Sequence, residues 1–140
     1  MTKYFDGLET RSADQRDADW ATALPLLVAK AQSGSTGMAA HLAGVEASGV
    51  VDRAALAKLP VLRKSELGAA QAATPPFGGF TTKPATGFAH IFQSPGPIYE
   101  PGERSHDWWR VGRFLHAVGI GSGDIVQNCF SYHLTPAGMI

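Results

Sequence analysis

Thr74-Pro75-Pro76-Phe77-Gly78-Gly79-Phe80-Thr81-Thr82-Lys83-Pro84-Ala85-Thr86-Gly87 divides the chain into two parts of different hydrophobic period. Four glycines and prolines stand in its first six residues and two more follow, too many for a continuous helix or a central strand, so residues 74–87 read as a long loop or linker. Upstream of it the apolar residues recur at helical intervals. Downstream they cluster in short runs bounded by turn residues, the pattern of strands.

Working back from the loop, Lys64 to Ala73, Asp52 to Leu59 and Met38 to Val45 read as three short helices separated by Gly or Pro. Ser33-Gly34-Ser35 breaks the pattern before them. Ser12 and Gln15 have capping-box spacing, and Trp20, Leu24, Leu27 and Ala31 follow as the apolar stripe of an amphipathic helix that Pro25 should kink or restart.

Working forward, Phe88 to Gln93 reads as a strand, Ser94-Pro95-Gly96-Pro97 as a turn and Ile98-Tyr99-Glu100 as a return strand, a hairpin. Ser105 can cap a helix with Asp107 in its first turn and Trp108, Val111, Leu115 and Val118 as its stripe, ended by Gly119 or Gly121. Ile125 and Val126 start another strand, and Thr135-Pro136 another helix. The alternation from residue 88 onward predicts an α/β fold: a helical region over 1–73, the loop over 74–87, and over 88–140 the beginning of a parallel sheet.

Apolar residues make up 44% of the 140 residues and charged residues 17%, enough buried surface to offset the entropy of ordering. Twelve Lys and Arg balance twelve Asp and Glu, so no net field attracts nucleic acid or an anionic membrane. The single Cys129 rules out an internal disulfide and fits a reducing compartment. No signal-peptide pattern opens the sequence and no apolar run approaches membrane-spanning length, so a cytoplasmic, soluble protein is expected. The apolar ending Thr135-Pro136-Ala137-Gly138-Met139-Ile140 has no helix stop signal and reads as a cut end.

Leu59-Pro60-Val61-Leu62-Arg63-Lys64-Ser65-Glu66-Leu67 resembles the segment that leads into the nucleotide-binding core of phenylacetate-CoA ligases, members of the adenylate-forming superfamily. Tyr4-Phe5-Asp6, Leu8-Glu9 and Arg11 resemble the opening of that family, and Gly119 to Asn128 its Gly-then-Gly-Asp-X-Val step into a strand. The resemblance runs from end to end and implies an adenylate-forming domain, of which this chain is the N-terminal part. It implies ATP, magnesium and coenzyme A as cofactors and an aromatic, phenylacetate-like carboxylate as substrate. The fragment alone would lack most of that site, namely a magnesium-binding Glu, a ribose-binding Asp and a C-terminal Lys, and would be inactive.

In the family a Ser-Ser-Gly-Thr-Thr-Gly-X-Pro loop wraps the phosphates with backbone N–H groups. The stretch here is Gln93-Ser94-Pro95-Gly96-Pro97-Ile98-Tyr99-Glu100-Pro101, in which only Ser94 and Gly96 match. Pro95 and Pro97 have no N–H to give, and Glu100 adds negative charge. Two readings stay open: a phosphate loop, or a rigid proline turn. By the same resemblance, Phe130, Ser131, Tyr132, His133 and Thr135 fall where the family borders its acyl pocket. Phe130 and Tyr132 would stack on an aromatic acid and Ser131, His133 and Thr135 would orient a carboxylate or phosphate, or these residues are simply core.

Ser33-Gly34-Ser35-Thr36-Gly37 has phosphate-loop composition but no preceding strand, so it reads as a cap linking two helices. Cys129 and His133 have no third ligand at suitable spacing, so no metal site is expected. Trp108 and Trp109 read as core, and Arg63 and Lys64 as solvated helix surface. Besides the ligase, two functions remain: a noncatalytic interaction module, or a relative whose altered loop no longer uses ATP. With later strands missing, Ile125, Val126 and Phe130 would lack cover, and self-association is expected.

Overall fold

A computed structural model describes residues 3–105, 107–131 and 136–138. Its helices are α1 (Ala13–Gly34), α2 (Thr36–His41), α3 (Arg53–Leu56), α4 (Lys64–Ala73) and α5 (Gly112–Ala117), and its strands are β1 (His90–Ser94) and β2 (Ile98–Gly102). Short 3-10 turns occupy Gly7–Thr10, Ala47–Gly49, Ala85–Gly87 and Pro136–Gly138. The fold is mixed, a helical first half followed by a small sheet.

α1 starts where its capping box places it. The Ser12 hydroxyl accepts the Gln15 N–H at 3.2 Å, while the Gln15 side chain accepts the Ser12 N–H at 2.8 Å. The helix runs through Pro25 to Gly34 without restarting, although Pro25 leaves the Ala21 carbonyl without its helical N–H. Val28 is the residue this helix buries, together with Leu42 and Val50, against half-covered Leu24, Ala31, Met38 and Leu59. Leu27, expected in the stripe, stays 63% exposed.

Residues 74–87 are a packed loop, not a free linker. Phe77 is buried and meets Phe88 edge-on at 5.5 Å, and the Gly79 carbonyl accepts both the Ser35 hydroxyl (2.7 Å) and the Gly37 N–H (2.8 Å). Gly78 and Gly79 have φ of +66° and +73°, which side chains rarely tolerate, and this bend brings their backbone against α2.

The hairpin forms as expected, with β1 and β2 antiparallel in the register His90↔Gly102 through Ser94↔Ile98. These are the two strands of the described residues, and Ile125 and Val126 are in neither. Both strands therefore precede α5 rather than flank it. Among the described residues no strand pairs with the Ile125-Val126 run, and both side chains are exposed.

The helix expected from Ser105 begins only at Gly112. Asp107 and Arg110 have φ of +51° and +58°, and Arg110 N–H turns back to the Asp107 carbonyl at 3.0 Å. The Asp107 carboxylate accepts the Gly112 N–H at 2.9 Å, a local bond that competes with helix formation. Trp108 consequently lies in this turn, 39% exposed, and Trp109 packs edge-on against Phe92 at 5.8 Å.

Candidate functional site

Side chains of α4 join it to the hairpin. Gln71, 7% exposed, donates through Nε2 to the Tyr99 carbonyl and accepts the Tyr99 N–H at Oε1, both at 2.8 Å. A carboxamide carries a donor and an acceptor side by side, so it can pair with both backbone groups of one extended residue as a neighbouring strand would. About two helical turns before Gln71, the Lys64 ammonium donates to the Glu100 carboxylate at 3.0 Å. This exposed pair adds little stability but fixes charge at the edge of the contact.

Between these joints and the loop lies a groove of about 620 Å³. α4 contributes Gly68, Gln71 and Ala72, the hairpin contributes Gly96, Pro97 and Tyr99, and Pro75 and Pro76 close it after α4. The volume lies within the range of small-molecule sites. Its lining is apolar and built from rings and small residues. Among the backbone donors on the hairpin side, Pro97 has none and that of Tyr99 is already bonded to Gln71.

The expected phosphate-loop residues therefore have distinct fates. Gly96 stands in the hairpin turn with φ +125° and lines the groove. Ser94 ends β1, and its hydroxyl donates across the turn to the Ile98 carbonyl at 3.3 Å. The turn is thus a proline turn of a hairpin, with one glycine facing the groove.

Of the expected acyl-pocket residues, the described Phe130 and Ser131 do not line this groove. Phe130 is 70% exposed and Ser131 is exposed, while Tyr132, His133 and Thr135 lie outside the described residues. Phe130 borders a separate hollow of about 450 Å³ formed with its own neighbours Val126 to Cys129. Asn128 shapes this stretch by accepting the Phe130 N–H at 2.8 Å and donating to the Gly138 carbonyl at 3.1 Å.

Ser35 is the cap it was expected to be, its hydroxyl accepting the Met38 N–H at 3.1 Å. Arg63 and Lys64, read as solvated helix surface, are both exposed, and Lys64 also pairs with Glu100. A second cleft, of about 530 Å³, lies between α1 and α3, where the Arg53 guanidinium covers the Trp20 ring at 4.3 Å. Two arginines and two aspartates line it, so their charges cancel. Among the described residues there is no group of three or more His, Cys, Asp or Glu that could hold a metal, and no helix long and apolar enough to cross a membrane.

Gly68 and Gln71 escaped the sequence reading. The available signal was a glycine in mid-helix, a position where glycine is unfavourable unless something else requires it. No known family, curated protein or solved structure matches the chain.

Proposed function

We propose that this chain forms the acyl-facing part of an adenylate-forming acid-thiol ligase of the kind its sequence resembles. In that chemistry a carboxylate oxygen attacks the α-phosphorus of ATP, pyrophosphate leaves with magnesium assistance, and the coenzyme A sulfur then attacks the acyl carbon and releases AMP. The observation that carries the reading is the groove between α4 and the hairpin: apolar, ligand-sized and bordered by Gly96 of the phosphate-loop stretch, with Lys64 one helical turn before the groove-lining Gly68. Such a lining suits an aromatic or other apolar acid better than a polyphosphate, because Pro95 and Pro97 offer no N–H and Tyr99 has already used its own.

That shortage of donors favours a second reading, a relative whose loop handles the acyl group without ATP. One experiment tests both. The ¹⁵N-labelled protein is titrated separately with phenylacetate and with magnesium-ATP while the amide signals of Gly68, Gly96 and Tyr99 are followed. The ligase reading expects saturable shifts with phenylacetate, and ATP shifts at Gly96. Phenylacetate shifts without any ATP response favour the second reading, and no saturable response to either compound rejects both.

A further inference from the structure

Four glycines lie within the α-helices, and three are accounted for by their neighbours. A Cβ on Gly34 would stand 3.1 Å from the Thr82 methyl, on Gly37 2.8 Å from the Gly78 carbonyl oxygen, and on Gly112 3.1 Å from the Phe5 ring. Gly68 differs. It sits in the middle of α4 among good helix formers, and nothing lies within 4 Å of where its Cβ would be. Alanine would strengthen the helix there, so the fold itself gives no reason for glycine. A departure from the local rule without a packing cause points to a functional demand.

The open space beside Gly68 is the groove. We infer that Gly68 is the specificity-determining residue of this groove, the bare helix surface on which the ring of an aromatic carboxylate lies with its carboxylate directed to Lys64. This rests on the acyl-binding reading and names what that reading leaves open, the feature that admits a ring. The rings of Pro75, Pro76, Pro97 and Tyr99 border the same space and offer flat apolar surfaces to a flat ligand. Lys64 precedes Gly68 by one helical turn, about 6 Å along the axis, and so faces the same side. Its ammonium is held by Glu100, and neither residue is among those lining the groove, so the carboxylate is placed at the end of the groove nearest the start of α4. A ligand carboxylate can share that ammonium, since three N–H donors are present and Glu100 Oε1 occupies one.

The test compares binding of phenylacetate and of neutral phenylacetamide to the wild-type protein, Gly68→Ala, Gly68→Leu and Lys64→Gln, with thermal melts of each. Both Gly68 variants should melt at or above the wild-type temperature. Gly68→Leu should weaken both compounds about tenfold or more, the scale on which a pocket discriminates small changes in bulk, and Gly68→Ala should weaken them less. Lys64→Gln should weaken phenylacetate and leave phenylacetamide unchanged. If the wild type binds phenylacetate with shifts at Gly96 and Tyr99 but Gly68→Leu binds it equally well, the inference about Gly68 is overturned while the acyl-binding reading stands. If Lys64→Gln weakens neither compound, the placement of the carboxylate is wrong. Absence of phenylacetate binding to the wild type overturns both the inference and the reading.

Discussion

The Gln71 carboxamide pairs with both backbone groups of Tyr99, Nε2 giving to the carbonyl and Oε1 taking the N–H, each at 2.8 Å. The helical half and the sheet are thereby joined by hydrogen bonds. Replacing Gln71 by Ala removes both bonds and should cost about 1–2 kcal/mol of unfolding free energy. It should also speed amide exchange at Tyr99 and weaken any ligand held in the groove. Denaturant melts of Gln71→Ala read the first effect; an unchanged midpoint with unchanged Tyr99 protection would show that the pairing does not hold the two halves together.

Arg113 makes a second long-range joint. Its Nη2 donates to Asp6 Oδ2 at 2.6 Å and its Nε lies 3.7 Å from Glu9 Oε1, while Phe5 meets the His116 ring edge-on at 5.9 Å. The same two carboxylates also fold the N-terminal turn, since Asp6 Oδ1 accepts the Leu8 N–H and Glu9 Oε2 accepts the Phe5 N–H. Arg113→Ala should cost less than about 1 kcal/mol globally because the pairs are exposed. Locally, residues 5–9 and 112–117 should lose amide protection together, and added salt should reproduce the effect in the wild type. Loss confined to one of the two segments would show that they are not coupled through Arg113.

Acid should weaken the contact between Lys83 and Glu103. The hydrogen bond from the Lys83 ammonium, then that from the Arg104 N–H at 3.0 Å, holds the Glu103 carboxyl below its ordinary value of 4.5. A carboxyl lowered by folding supports the fold above its unfolded value and loses that support as the pH falls through its folded value. The contribution should therefore be complete above 4.5 and fade below it. The stability difference between wild type and Glu103→Gln should shrink over that interval, and the Glu103 carboxyl carbon should titrate below 4.5. Titration at or above 4.5 would contradict the assigned cause.

Ile125 is fully exposed, and Val126 and Phe130 are 62% and 70% exposed. Three large apolar side chains this close in sequence and this open to water favour burial against another surface. The purified protein is expected to associate with rising concentration, and Phe130→Ser should shift it toward monomer in sedimentation velocity. A concentration-independent monomer in the wild type would remove self-association from the expected behaviour.

Much of the local structure was legible in the residues. The Ser12 and Gln15 spacing located the start of α1, the apolar and polar pattern of Lys64 to Ala73 gave α4 its bounds, and the Pro-Gly-Pro turn marked the hairpin. Each of these depends on groups a few residues apart, whose geometry is set as soon as the backbone adopts its preferred angles. The helix expected from Ser105 was misread because the Asp107 side chain and two residues with positive φ override the apolar stripe that surrounds them. Ile125 and Val126 carry strand propensity, but propensity makes no strand without a neighbour to bond.

The sequence by itself thus determined the helical first half, the break near Thr74 and the hairpin after it, because capping, hydrophobic period and proline geometry all act over short distances. Only the tertiary structure decided that Gln71 reaches Tyr99, that Arg113 reaches Asp6, that Gly37 lies against Gly79, and that the glycine of α4 borders a groove with the glycine of the hairpin turn. Those relationships join residues from 28 to 107 positions apart. Their physical reason is that a side chain's partner across such a distance is set by how the whole chain packs, which no local pattern encodes.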